Sequence, residues 1–142
     1  MLTKTIFSGF GGQGVLSMGY TLATAAMLEG KHVTYFPSYG VEVRGGTANC
    51  TVAVSDEEIA SPVASEPEFV VAMNQPSFAR FQSILQSGGL IFVNSSIVDV
   101  SSARGDIEIV AVPTSELAER IGTIKVANMI MLGAFIRLSN II

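Results

Sequence analysis

The sequence has few charged residues and only one cysteine. Charged residues make up 14% of the 142 residues, with 8 Lys and Arg against 12 Asp and Glu, so the composition excludes a basic nucleic-acid-binding arm and a disordered acidic segment. The lone Cys50 cannot form an internal disulfide, and no CxxC or His/Cys pair is present to hold zinc or an iron–sulfur cluster. We therefore expect no metal bound by this chain alone and a reducing, cytoplasmic environment.

Long apolar runs are also absent. No stretch of about 18 uncharged apolar residues occurs, because even the segment 126–135 contains Asn128 and is followed by Arg137. Residues 1–7 are too short for a secretory signal, so neither a signal peptide nor a membrane span is expected. Hydrophobic residues nevertheless reach 49% with a mean hydropathy of +0.50, which leaves little polar side chain to cover a small domain. We expect a subunit of an assembly that self-associates when alone.

Strand-like segments alternate with segments of helical periodicity, without a linker or repeat, over one domain spanning residues 1–142. The predicted strands are residues 2–8, 32–36, 47–55, 69–73, 90–94 and 107–112. The predicted helices are residues 15–29, a short helix capped by Asn74 or Ser77, residues 116–121, and residues 126–138, the last apolar nearly all round and therefore buried. This order predicts a three-layer α/β/α fold with a mainly parallel central sheet, mixed if the short 37–46 link joins antiparallel strands.

A glycine motif follows the first predicted strand and precedes the first helix, a Rossmann-like start. Gly9, Gly11 and Gly14, with Gly12 between them, form G-x-G-x-x-G, which can cradle a phosphate on backbone N–H groups at a helix N-terminus. Dinucleotide binding also needs an acidic residue at the end of the second strand, where residues 35–38 read Tyr-Phe-Pro-Ser. NAD binding is therefore disfavoured, and a tight packing turn that binds no ligand stays open.

Gln13 and the stretch Arg44-Gly45-Gly46 are the other candidate ligand-binding residues. The Gln13 amide could reach a ligand, bridge to a facing loop or cap the helix. Arg44 could present its guanidinium to a carboxylate or phosphate, or be an ordinary surface charge. The predicted site thus comprises Gly9, Gly11, Gly12, Gln13, Gly14, Arg44, Gly45 and Gly46. We find no catalytic constellation, because the lone histidine has no carboxylate partner in sequence reach and no serine has a nucleophile motif.

Five blocks in this order carry a resemblance to a known family. They are GFGGQGV at 9–15, FPSYG at 36–40, RGGTANC at 44–50, AMNQPS at 72–77 and VNSS at 93–96. Together they resemble the gamma subunit of the 2-oxoacid:ferredoxin oxidoreductases, over essentially the whole chain. The residues in these blocks are more similar to those of the 2-oxoglutarate or branched-chain type than to those of the pyruvate type. Two departures are Val41, where proline is expected, and the absence of the family's C-terminal helical extension after Ile142.

The resemblance implies a non-catalytic domain in an enzyme that decarboxylates a 2-oxoacid on thiamine diphosphate, transfers the acyl group to coenzyme A and reduces ferredoxin. Thiamine diphosphate, Mg²⁺ and iron–sulfur clusters would then belong to partner alpha, beta and, where present, delta subunits. The phosphates of coenzyme A become the expected ligand of the glycine loop and Arg44. Two alternatives stay open: a free-standing Rossmann-like nucleotide-binding protein, and an assembly module that binds no ligand.

Overall fold

The structure, a computed structural model, describes residues 1–38 and 47–142. The first elements are β1 (Leu2–Phe10), α1 (Val15–Leu28), β2 (His32–Ser38), β3 (Thr47–Ser55), β4 (Phe69–Ala72) and α2 (Gln75–Gln82). They are followed by β5 (Leu90–Asn94), β6 (Glu108–Val112), α3 (Thr114–Ile121), a short 3₁₀ helix (Ile124–Val126) and α4 (Ala127–Ser139).

The six strands form one mixed sheet in the order β2-β3-β1-β4-β5-β6. The pairs β1–β4, β4–β5 and β5–β6 are parallel, whereas β3 runs antiparallel to both β1 and β2. Strand β2 therefore points in the same direction as β1, with β3 inserted between them. The expected mainly parallel sheet is confirmed, and its antiparallel member follows the 37–46 link.

Helices cover both faces of the sheet. Neighbouring residues of the central strands point to opposite faces, and both faces carry apolar side chains that the helices bury. On one face Phe7 packs with α1 and α4, and the Phe135 ring lies 5.5 Å from Phe7 and 5.2 Å from Phe92 between ring centroids. On the other face Ile6 packs with Phe78 of α2. The result is the expected three-layer α/β/α arrangement.

Most predicted elements are present, with shifted ends. Strand β2 extends through Pro37 to Ser38, where a turn is predicted; β2 is an edge strand, a position that tolerates a residue without an N–H donor. Helix α2 is capped by Asn74, whose Oδ1 accepts the N–H of Ser77 at 2.9 Å. Helix α3 begins at Thr114, two residues before its predicted start.

The prediction that the last helix is buried on all sides is wrong for this chain. Met131, Leu132 and Phe135 of α4 are buried, but Met129 and Leu138 are 44% and 52% exposed. The helix packs against the sheet, α3 and α1, and its outer side faces solvent. None of the described helices is both long and apolar enough to cross a lipid bilayer.

Candidate functional site

The candidate site lies where the parallel strands end at their carboxyl edge. Strands β1 and β4 are neighbours, but the chain leaves β1 through α1 on one face and β4 through α2 on the other. Such a reversal of direction opens a crevice outside the strand ends, which is the usual ligand position in open α/β sheets. The glycine loop after β1 forms one wall of this crevice.

The glycine loop makes a left-handed turn into α1. Gly12 and Gly14 have φ angles of +91° and +74°, values that an L side chain rarely adopts. Helix α1 has no side-chain cap, and the N–H groups of Val15, Leu16 and Ser17 have no acceptor in the part of the chain that the structure describes. Unpaired N–H groups and the positive end of the helix dipole favour an anion at this position.

A cavity of about 230 Å³, here called the outer cavity, lies against this turn. Its lining residues are Phe10, Gly11, Gly12, Gly14, Val15, Leu16, Ser17 and Ala48. Three of the predicted site residues, Gly11, Gly12 and Gly14, therefore lie together at one cavity beside the N-terminus of α1.

Gly9 does not line the outer cavity. Its role is in packing. A β-carbon at Gly9 would lie 2.5 Å from Oε1 of Gln13 and 2.9 Å from Cβ of Met73. Gly14 is similarly restricted, because a β-carbon there would collide with the side chain of Asn128, whose Nδ2 donates to the Gly14 carbonyl oxygen at 3.3 Å. The glycine pattern thus serves close packing as well as backbone geometry.

Gln13 bridges the crevice. Its Oε1 accepts the backbone N–H of Phe10 at 2.6 Å, and its Nε2 donates to the backbone carbonyl of Met73, the residue after β4, at 3.1 Å. Of the alternatives considered for Gln13, the structure supports a bridge to a facing segment. The amide links the ends of β1 and β4 and occupies the position between them.

A second, smaller cavity of about 110 Å³, the inner cavity, lies against Gln13. Its lining residues are Gly12, Gln13, Met73, Asn94, Ser115, Ile124, Lys125 and Ala127. Asn94 is 1% exposed; its Oδ1 accepts from the N–H groups of Ser96 and Ser115, and its Nδ2 donates to Ser115 Oγ at 2.9 Å.

The sequence pattern predicts no role for Asn94, Ser115 or Lys125. One signal for Asn94 is present in the sequence, because this polar residue ends an apolar strand. Carboxyl ends of parallel strands meet at one edge of the sheet, where ligands usually bind. Ser115 and Lys125 lie 21 and 31 residues after Asn94, and only the packing of α3 and the 3₁₀ helix against the strand ends brings them beside it.

Arg44, Gly45 and Gly46 lie outside the described residues, so the structure does not place these predicted site residues. Their flanking neighbours Ser38 and Thr47 are described. Thr47 pairs with Phe10 in the β1–β3 ladder, and Ser38 pairs with Asn49. Both ends of the 39–46 link are thus attached at the sheet edge that carries the glycine loop.

Cys50 is fully buried in the middle of β3, and its Sγ lies 3.6 Å from the carbonyl oxygen of Val15. Burial raises the pKa of the Cys50 thiol to about 12, so the residue is a neutral core side chain. Within residues 1–38 and 47–142, no three His, Cys, Asp or Glu side chains are grouped so that they could hold a metal ion.

Comparison with known proteins gives matches over nearly the whole chain. The family model described as pyruvate ferredoxin/flavodoxin oxidoreductase matches residues 4–142. Ketoisovalerate oxidoreductase subunit VorA of Methanothermobacter thermautotrophicus is 45% identical over 131 residues, covering 92% of this chain and 27% of VorA. The 2-oxoglutarate synthase subunit KorC of Methanocaldococcus jannaschii is 36% identical over 138 residues, covering 95% of this chain and 74% of KorC.

A solved structure shows the same fold. The gamma subunit of keto/oxoacid ferredoxin oxidoreductase from Geobacter sulfurreducens is similar with a TM-score of 0.84 and 29% identity, covering 99% of this chain and 79% of that subunit. The resemblance drawn from the five sequence blocks is confirmed. The chain spans about a quarter of the length of VorA, for which the covered share is 27%.

Proposed function

The chain belongs to the pyruvate ferredoxin/flavodoxin oxidoreductase family, and from this membership we propose that it is the gamma-type component of a 2-oxoacid:ferredoxin oxidoreductase. The complete enzyme would convert a 2-oxoacid and coenzyme A into an acyl-CoA and CO₂ and pass the electrons to ferredoxin. This chain would act as a non-catalytic assembly domain in the cytoplasm, beside alpha, beta and, where present, delta subunits.

The residues described here do not fit thiamine diphosphate with its Mg²⁺ or an iron–sulfur cluster. Such groups need carboxylate, amide or thiolate ligands, whereas the described chain has no cluster of three His, Cys, Asp or Glu side chains and its cysteine is buried. We therefore assign these groups to the partner subunits and derive no chemical step from this chain.

The outer cavity fits a phosphate group of coenzyme A. Its wall combines the unpaired N–H groups at the start of α1 with the left-handed backbone of Gly12 and Gly14, which lets a ligand approach the main chain closely. A volume of about 230 Å³ is below the roughly 300–1,000 Å³ of pockets that enclose whole cofactors. We propose that this chain holds only the phosphate end and that the partners bind the remainder.

The names of the relatives support a proposal for the substrate class. The relatives named above are a ketoisovalerate oxidoreductase subunit and a 2-oxoglutarate synthase subunit, which supports a branched-chain 2-oxoacid or 2-oxoglutarate over pyruvate. A free-standing dinucleotide-binding protein is less favoured, because β2 ends in Phe36-Pro37-Ser38 without an acidic residue and Gln13 occupies the crevice between β1 and β4.

Co-expression with the genes of the candidate partner subunits tests the proposal. The chain should co-purify with them, and the complex should reduce a viologen dye with coenzyme A and either 2-oxoisovalerate or 2-oxoglutarate, with lower kcat/KM for pyruvate. The purified chain alone should give no turnover. Turnover by the chain alone, or an active complex that forms without it, would contradict the proposal.

The coenzyme A contact has its own test in the assembled enzyme. Replacing Arg44 by alanine should raise the KM for coenzyme A by about ten- to a hundredfold, as expected for one hydrogen-bonded charge contact, with the KM for the 2-oxoacid nearly unchanged. Arg137→Ala, which removes an exposed cation in the last turn of α4, is the control and should leave both constants unchanged. If the Arg44 variant weakens assembly while both KM values of the remaining complex are unchanged, Arg44 is an interface residue instead.

A further inference from the structure

Each uncharged polar side chain that lines the inner cavity already accepts at least one hydrogen bond from the protein. Gln13 Oε1 accepts from Phe10, Asn94 Oδ1 accepts from two backbone N–H groups, and Ser115 Oγ accepts from Asn94 Nδ2. The donors that remain are the hydroxyl hydrogen of Ser115 and one amide hydrogen each of Gln13 and Asn94. These three side chains therefore retain hydrogen-bond donors that a ligand could use.

Lys125 adds a positive charge to the same lining. It belongs to the 3₁₀ helix that precedes α4, and within the described parts of the chain no ion pair or side-chain hydrogen bond engages its ammonium group. The residues that line the cavity include no aspartate or glutamate. The nearby helix α3 does carry Glu116, but its carboxylate pairs with Arg120 at 3.3 Å.

The size of the inner cavity restricts what can fill it. A volume of about 110 Å³ corresponds to about three or four water molecules at about 30 Å³ each. This is room for a carboxylate with a short chain or for a phosphate group, and it is far below the volume of a nucleotide. The remaining walls, Met73, Ile124 and Ala127, are apolar, which strengthens the hydrogen bonds and charge contact made beside them.

We infer that the inner cavity is a binding site for a small oxyanion, either a free carboxylate or a phosphate group. A cavity lined by donors and one unpaired cation, with no carboxylate among its lining residues, matches an acceptor-rich anion. The site is distinct from the outer cavity, because the two cavities share only Gly12 among their lining residues. It does not depend on the proposed function, since it concerns binding to this chain alone.

Isothermal titration of the purified chain at constant ionic strength tests the inference, with sodium phosphate as one probe and 2-oxoisovalerate as the other. At least one should bind saturably. Lys125→Gln should weaken this binding about tenfold, which is 1.4 kcal/mol, while Lys125→Arg should keep the affinity within about threefold. Arg137→Gln removes the same charge at a position about 15 Å beyond the start of α4 and should change nothing.

The two probes distinguish the source of the oxyanion. Tighter binding of phosphate would identify a phosphate group as the ligand, and tighter binding of the 2-oxoacid would identify a carboxylate; both support the site. Binding of equal strength to wild type and Lys125→Gln would place the ion elsewhere, for example at the outer cavity, and would overturn the inference, as would the absence of saturable binding. Because Lys125 is exposed, Lys125→Gln should fold normally, which its circular dichroism spectrum will check.

Discussion

The side-chain amide of Gln13 donates a 3.1 Å hydrogen bond to the carbonyl oxygen of Met73, a residue 60 positions further along the chain. This bond crosses the crevice between β1 and β4, where an open α/β sheet usually admits a ligand. In this molecule the protein fills that position with its own side chain, and the inner cavity lies against it.

Replacing Gln13 by glutamate tests the bridge. The carboxylate can still accept the N–H of Phe10, but it turns an oxygen toward the Met73 carbonyl and loses the donor. We expect the free energy of unfolding to fall by about 1–2 kcal/mol, measured by urea denaturation at pH 7. The control is Gln86→Glu, which adds the same charge at an exposed glutamine; equal stability of the two variants would show that the bridge contributes nothing.

Two glycine-to-alanine substitutions should have opposite effects. At Gly9 the new methyl group would meet Gln13 and Met73 within 3 Å, so we expect a loss of about 1–3 kcal/mol from overpacking. At Gly133, on the exposed side of α4, a methyl group meets nothing within 4 Å, and alanine should add about 0.5–1 kcal/mol through helix propensity. Thermal denaturation of both variants checks the signs, and stabilisation of Gly9→Ala would refute the packing role.

The Cys50 thiol should be unreactive in the folded chain. With a pKa of about 12, only about one thiol in ten thousand is ionised at pH 8, against about a quarter at the ordinary pKa near 8.5. Reaction with a thiol-specific disulfide reagent should therefore be slow in buffer. It should be rapid in about 6 M guanidinium, which unfolds the chain. Rapid labelling in buffer would mean that β3 opens locally or that the thiol is accessible.

The same raised pKa has a consequence for stability. The Cys50 thiol stays neutral in the folded state but can ionise in the unfolded chain. The free energy of unfolding therefore falls as the pH rises above about 8.5. Below that pH the contribution is constant.

Self-association of the isolated chain should involve α1 and the edge strand β2. Tyr20, Met27 and Leu28 of α1 are 63%, 60% and 80% exposed, and Tyr20 and Met27 lie beside Val33 and Tyr35 of β2. Exposed apolar side chains that lie together favour association. The double variant Met27→Lys/Leu28→Lys should shift sedimentation at micromolar concentration toward the monomer. Met129→Lys on α4 is the matched control, and a larger shift by this variant would place the interface on α4 instead.

The sequence predicts the sheet well, because alternation and continuous apolar runs have direct physical causes. The bounds of β3 and β5 agree with their predicted ranges, and Asn74 caps α2 as expected. The exposed side of α4 could not be predicted from composition alone. An apolar helix indicates that protein packs on all its sides, but not whether the same chain supplies those contacts. The 44% exposure of Met129 shows that residues 1–38 and 47–142 do not cover this side of α4.

The site is less predictable because its parts are distant in sequence. Gly12 and Gly14 could be assigned to the turn from their spacing, since the geometry is local. The bridge from Gln13 to Met73 and the meeting of Asn94 with Lys125 depend on strand order, which the sequence pattern leaves undetermined. For Gln13 the residue type alone allowed three roles, and only the position of β4 beside β1 distinguishes them.

The insertion of β3 between β1 and β2 implies an order of events during synthesis. When residue 38 has emerged from a ribosome, two strands exist that run in the same direction and do not pair with each other. Their common partner, β3, is complete only at Ser55, and the other neighbour of β1 follows at Phe69. Nascent chains shorter than about 55 residues should therefore lack any stable sheet, and the glycine loop should acquire its shape only after β3 has closed the gap.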